Sequence, residues 1–206
     1  MSLYDKYVLP TMIDCACSMP EVMAVRREVV PLCRGAVLEV GMGSAINLPL
    51  YRADQVDYIW GLEPSAGMRR KAQKNLATSA LEVRWLDLPG EQIPLADNSV
   101  DTVLLTFTLC TIADWRSALL QMQRVLKPDG QLLFCEHGLS ADAGVARWQN
   151  RLTPLWKRLA GGCHLNRPID QLLREGGFVI DEIKQRYLEK SPRIAGYVYS
   201  GSAHKA

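Results

Sequence analysis

Strand-like and helix-like stretches alternate through the first two-thirds of this 206-residue chain, and that alternation limits the available folds more than any other feature. Short apolar runs recur at AVLEVG (36–41), YIWGLE (58–63), LEVRWL (81–86), VDTVLLTF (100–107) and QLLFCE (131–136). Helical patterns lie between most of them. Ser65 to Leu76 opens on a residue suited to an N-cap, and Trp115 to Leu126 carries apolar residues at helical spacing before KPDG closes it. Parallel strands need crossover connections of this kind, which put helices on the sheet faces. The expected fold class is therefore α/β: a Rossmann-like, mostly parallel sheet with helices on both faces and ligands beyond the carboxyl ends of its strands.

The last third changes character. RWQNRLTPLWKRLAGG is helical and amphipathic, and PIDQLLREGG is a shorter helix closed by two glycines. FVIDEIKQRYL and GYVYSGSAH then alternate as strands, which predicts an antiparallel hairpin at one sheet edge. Before the first strand, PEVMAVRREVVPLCR (20–34) predicts a short helix that Pro31 helps to end. With 48% hydrophobic residues and no low-complexity linker, residues 1–206 read as one domain.

Lys and Arg number 24 against 22 Asp and Glu, so the net charge of +2 supplies no long-range field for nucleic acid. The Arg26-Arg27 and Arg69-Arg70-Lys71 clusters read as solvated helix faces. The six cysteines (Cys15, Cys17, Cys33, Cys110, Cys135 and Cys163) show no C-x-x-C pair and no metal-binding spacing. They are expected to be reduced and structural, with no metal. The start, MSLYDKYVLPTMIDCACS, carries Asp5 and Lys6 early and lacks a long apolar segment, so the expectation is a cytoplasmic protein without a transmembrane span.

The chemistry concentrates in VLEVGMGSAINLPLY (37–51). Gly41 and Gly43 would let the backbone approach a ligand closely, and the segment after them reads as the start of a helix offering free N–H groups. A dinucleotide turn wants a third glycine at 46, where Ile46 stands. Glu63 ends the next strand, 63 − 43 = 20 residues on, where a carboxylate can bind both ribose hydroxyls. Glu39 would repel a pyrophosphate but favour a cation. S-adenosylmethionine, with a ribose, a sulfonium and no phosphate, fits this pattern better than NAD.

The segments EVGMGSAIN, GLEPSAGM, PGEQIPLADNSVDTVLLTFTLC and QRVLKPDGQLLFCEH together resemble the class I S-adenosylmethionine-dependent methyltransferases, in the branch of the ubiquinone and menaquinone C-methyltransferases. RWQNRLTPLWKRLAGGCHLNR is similar to the animal methyltransferase-like proteins that methylate alkyl thiols. The resemblance implies that Glu39, Gly41 and Gly43 hold the methionine moiety, with Ala45 where many members have a third glycine. It implies that Glu63, followed by Pro64, binds the ribose and that Met68 lies beside the adenine. Gly90 and Glu91 match the adenine-side loop, and Pro89, replacing an aspartate of the quinone-type members, leaves backbone contacts there. Thr106, Thr108 and Cys110 fall at or just beyond the fourth strand's end, facing the transferable methyl, although Cys110 itself reads as strand core.

The expected activity is transfer of a methyl group to a small lipophilic acceptor, a thiol first. A quinone, phenol or lipid amine is the enzymatic alternative, and non-catalytic binding of the cofactor is the other. His137 and His164 are the candidate bases, since an imidazole near its reference pKa can take a thiol proton near neutral pH. Residues 1–34 form an N-terminal helical segment, 35–140 the cofactor-binding core, 141–177 a helical acceptor lid and 178–206 the edge hairpin. In the lid, Trp148, Leu152, Leu155, Trp156 and Leu159 would cover the acceptor. The expected partner is that small molecule, with peripheral membrane contact left open and no oligomeric state indicated.

Overall fold

The computed structural model describes residues 8–206, so the expectation for the first seven residues lies outside the described ones. Five strands run parallel: β1 (Gly35–Val40), β2 (Val56–Leu62), β3 (Val83–Leu86), β4 (Val100–Thr106) and β5 (Leu126–His137). β6 (Phe178–Tyr187) and β7 (Tyr197–Lys205) form the antiparallel hairpin, giving the order β3-β2-β1-β4-β5-β7-β6. The order reverses between β1 and β4. That is where an open α/β sheet leaves a crevice beyond its strand ends.

Alternate side chains send the core to opposite faces of the sheet. Val37, Leu104 and Leu133 pack with Val25 and Val29 of α2 (Pro20–Val29) and Ala72 of α3 (Ala66–Leu76). Leu38, Leu105 and Leu132 pack with Leu119 and Met122 of α4 (Trp115–Val125) and with Ile169 and Leu172 of α6 (Ile169–Glu175). Burying each such leucine contributes about 1.5–3 kcal/mol, so both faces hold the sheet. The helix starts follow side-chain chemistry. The Ser65 hydroxyl accepts from the Met68 N–H at 3.3 Å, and the Asp114 carboxylate accepts from the Ser117 N–H at 3.1 Å.

Local departures from the sequence reading have local causes. β5 begins at Leu126, because KPDG is absorbed as an irregularity between the Val100–Leu126 and Thr102–Gln131 pairs. The α-helix expected after the glycine turn is replaced by a 3-10 turn, Leu48–Leu50, in which Pro49 withholds an N–H. α5 (Ala143–Leu159) forms as expected but buries only Gln149 and Thr153. Its apolar face points to solvent: Trp148 and Leu155 are each 57% exposed. The amphipathic pattern was real, but the protein lies under the polar edge of the helix.

Candidate active site

At the end of β1 the chain turns at Gly41 (φ +70°) and Gly43 (φ +61°). A Cβ on Gly41 would come within 2.3 Å of the Thr108 Oγ1, so the turn and the end of β4 approach closely only because glycine stands there. The Glu63 carboxylate accepts from the Gly43 N–H at 3.0 Å through one oxygen and from the Ser65 N–H at 2.8 Å through the other. The 20-residue spacing in sequence is thus a direct contact between adjacent strand ends. Burial pushes the Glu63 carboxyl up from its ordinary range, against the pull of those two N–H groups and of Arg69.

These groups open onto a cavity of about 430 Å³, within the size range of small-molecule sites. Gly41, Gly43, Glu63, Pro64, Met68, Gly90, Glu91 and Thr106 all line it. Met68 contributes its side chain beside Gly43, where a Cβ would sit 3.2 Å from its Cε. Gly90 is buried beside Ile112, and the Glu91 carboxylate accepts from the Asp114 N–H at 3.2 Å, joining the Gly90–Glu91 loop to the cap of α4.

The roof is not the expected one. From residues 141–177 only Gly161 reaches the cavity, whereas α1 (Leu9–Cys17) supplies Leu9, Pro10, Ile13, Asp14 and Cys17. α1 is fastened at Asp14, which accepts from the Ser44 hydroxyl at 2.5 Å and pairs with Lys71 at 3.4 Å. Lys71 and Arg69 therefore do not form the solvated face expected of them. Arg69 donates to the Glu63 carbonyl at 2.5 Å.

Glu39 does not line the cavity. It is 1% exposed behind the glycine turn, and its two oxygens accept from Asn47 Nδ2 and the Tyr51 hydroxyl, each at 2.7 Å. Burial raises its carboxyl from the usual range, while those two hydrogen bonds and the charge of Arg26 oppose the shift. Arg26, read from sequence as solvated, is only 3% exposed and lines the cavity. It donates to Asn47 Oδ1 at 2.9 Å and to Thr106 Oγ1 at 2.7 Å. The signal for its burial was its place in the stripe Val22, Val25, Arg26, Val29.

The turn after β4 forms the opposite wall through Phe107, Thr108 and Thr111. Phe107 is held at φ +55°, an unfavourable conformation for a bulky residue that marks a constrained site. Beneath it, buried Glu136 accepts from the Thr108 and Leu109 N–H groups at 2.7 and 3.1 Å. Burial, reinforced by the nearby Cys110, pushes the Glu136 carboxyl up to about 8. Sequence reasoning missed Glu136, whose only sign was a carboxylate inside the apolar run QLLFCEH.

Neither candidate histidine lines this cavity, so neither is in place to take a proton directly from a molecule within it. The Nε2 of His137 lies 3.0 Å from the Sγ of Cys163, and the Nδ1 of His164 lies 3.1 Å from the carbonyl of Cys110. Cys110 is not strand core but part of the turn after β4, with its Sγ 3.8 Å from that of Cys163. The hydrogen bond from Cys163 and the charge of His137 hold the Cys110 thiol well below its ordinary pKa despite burial. Cys135, by contrast, is fully buried in the core as expected.

Residues 38–134 match the family described as Methyltransferase domain. The chain is 35% identical over 135 residues to the thiol S-methyltransferase TMT1B of Rattus norvegicus, an alignment covering 64% of this chain and 54% of that protein. It is 31% identical over 170 residues to thiol S-methyltransferase TMT1B of Homo sapiens, covering 78% of this chain and 69% of that protein. The chain thus spans just over half of the rat relative and about two-thirds of the human one. In fold it matches an S-adenosylmethionine-dependent methyltransferase of Thermotoga maritima with a TM-score of 0.68 at 20% identity, over 98% of both chains. With S-adenosylmethionine as its cofactor, the chain belongs to the class I S-adenosylmethionine-dependent methyltransferases.

Proposed function

We propose that the methyl acceptor is a small lipophilic thiol, methylated on sulfur. The observation that carries this reading is the apolar roof of Leu9, Pro10 and Ile13, closing over the turn of Phe107 to Thr111 in the same cavity as the glycine turn and Glu63. The names of the thiol-methylating relatives support the choice of sulfur. Glu63 would bind the ribose, the Gly41–Gly43 backbone the methionine moiety, and Met68 with Gly90 and Glu91 the adenine.

When bound, S-adenosylmethionine supplies a methyl carbon already activated by its sulfonium. The residues then have to orient, desolvate and exclude water rather than provide covalent chemistry. The α1 roof and Phe107 do so on the acceptor side. An acceptor thiol has a free pKa near 8.5 and reacts as its thiolate, so it must lose a proton before or during transfer.

The exposed face of α5 supports acceptor uptake from a lipid surface. Trp148, Leu152, Leu155, Trp156 and Leu159 are exposed beside Arg147, Arg151, Lys157 and Arg158, and the helix carries no acidic residue. An apolar face flanked by cations suits an anionic membrane interface.

The test is methyl transfer from labelled S-adenosylmethionine to a panel of alkyl thiols, phenols, quinols and lipid amines. Methyl thioether formation as the dominant product is expected. Preferred O-, N- or C-methylation would replace the thiol reading, and cofactor binding without any transfer would make the protein a non-catalytic binder.

A further inference from the structure

We propose that Cys110, His137 and Cys163 form a mononuclear zinc-class metal site whose open fourth position takes the sulfur of the thiol acceptor. The metal site stands on geometry alone, whereas the occupant of its open position rests on the thiol reading above.

Three separate segments deliver the donors: the turn after β4, the last residue of β5 and the loop after α5. Their ligand atoms all lie within 4.8 Å of one another. The Sγ–Sγ distance of 3.8 Å equals the edge of a tetrahedron with metal–sulfur bonds of about 2.3 Å. The His137 Nε2 to Cys163 Sγ distance of 3.0 Å is shorter than the corresponding edge of about 3.6 Å, so metal entry requires the imidazole to back away by roughly half an ångström. Two thiolates and an imidazole are a borderline-soft set that selects zinc over calcium or magnesium.

The surroundings hold the Cys110 arm of this set in place, while the Nδ1 of His137 is buried without a partner. Glu136 fixes the turn carrying Cys110 from below, Arg167 donates to the Leu109 and Ile112 carbonyls on either side of it, and the His164 N–H donates to the Cys110 carbonyl at 2.9 Å. Such outer contacts orient metal ligands. Three protein donors leave one position of a tetrahedron open, as in catalytic rather than structural zinc sites. The site also adjoins the cavity: Cys110 Sγ lies 3.5 Å from Oγ1 of Thr111, a wall residue, and Gly161, two residues before Cys163, lines the same cavity.

The chemistry balances without an oxidant. As the acceptor binds, its S–H bond breaks, the electron pair forms a sulfur–metal bond and the proton leaves to solvent. A lone pair of that sulfur then forms the new carbon–sulfur bond. The sulfonium carbon–sulfur bond breaks with its pair passing to the departing thioether, and the methylated product releases the metal.

The experiment uses protein purified with a phosphine reductant and dialysed against limiting zinc, followed by elemental analysis. One zinc per chain is expected, with loss in Cys110→Ser and Cys163→Ser and retention in Cys15→Ser, a control on the exposed face of α1. Cobalt substitution should give a thiolate-to-cobalt charge-transfer band, and an alkyl thiol should shift it. S-adenosylhomocysteine binding, measured on every sample, tests the cofactor site and folding separately. Substoichiometric metal in folded wild-type protein, or full metal in the cysteine variants, would overturn the site, and full-rate thioether formation by metal-free protein would overturn the role of its open position. A cobalt spectrum indifferent to thiol would overturn the open position.

Discussion

Ser44, in the glycine turn, donates its hydroxyl to Asp14 of α1 at 2.5 Å, so the turn at the end of β1 also fastens the roof of the cavity. Lys71 on α3 reaches the other Asp14 oxygen at 3.4 Å, and Asn75 of the same helix donates to the Ser44 carbonyl at 2.9 Å. Roof, turn and helix are one hydrogen-bonded unit.

Asp14→Ala should therefore loosen α1 without unfolding the sheet. A lost charged hydrogen bond at this part-buried site is expected to weaken S-adenosylhomocysteine binding by about 1 kcal/mol, roughly fivefold. Calorimetric titration reads the affinity, and faster amide exchange confined to residues 9–17 would identify the cause. Unchanged affinity and exchange would mean that the roof holds without this contact.

Glu63→Ala should weaken cofactor binding by about 1.5–3 kcal/mol through loss of a charged acceptor. The pH dependence follows from the raised Glu63 carboxyl. Its ionised form, which accepts hydrogen bonds best, is complete only above the raised folded value. Cofactor affinity should accordingly be full at higher pH and decline as pH falls, starting above the range of an ordinary glutamate. Glu63→Gln should flatten that decline, and an identical profile in the variant would remove Glu63 from the binding step.

Gly41→Ala adds a Cβ at φ +70° against the Thr108 side chain. The expected destabilisation is about 2 kcal/mol, a fall in Tm of roughly 4–8 °C for a chain of this size. Differential scanning calorimetry would measure it. A neutral substitution would show that the turn can shift away from the end of β4.

The double variant Trp148→Ser with Leu155→Ser removes exposed apolar area from α5 and should leave Tm unchanged, since each is 57% exposed and neither belongs to either core cluster. Sedimentation with vesicles containing phosphatidylserine should capture the wild type and lose the variant. Equal capture of both, or none of either, would rule out α5 as the docking face.

By itself the sequence determined what depends on neighbours along the chain. Strand runs and helical stripes set the α/β class, Ser65 and Asp114 marked two helix starts, and the 20-residue spacing from Gly43 to Glu63 is one that parallel strands translate into a direct contact. Periodicity also identified α5 as amphipathic, but a pattern reports that two faces differ, not which of them meets protein. The tertiary structure decided that α5 turns its apolar face outward and that α1 closes the cavity. It also buried Arg26, whose Nη1 donates to Asn47 and Thr106 while its Nε is left without a partner. Cys110, His137 and Cys163 lie 26 to 53 residues apart, and only the register of β4 beside β5 and the return of the chain after α5 bring their donor atoms together. No spacing rule along the chain encodes a contact made by three separate elements, since their meeting depends on how the sheet packs.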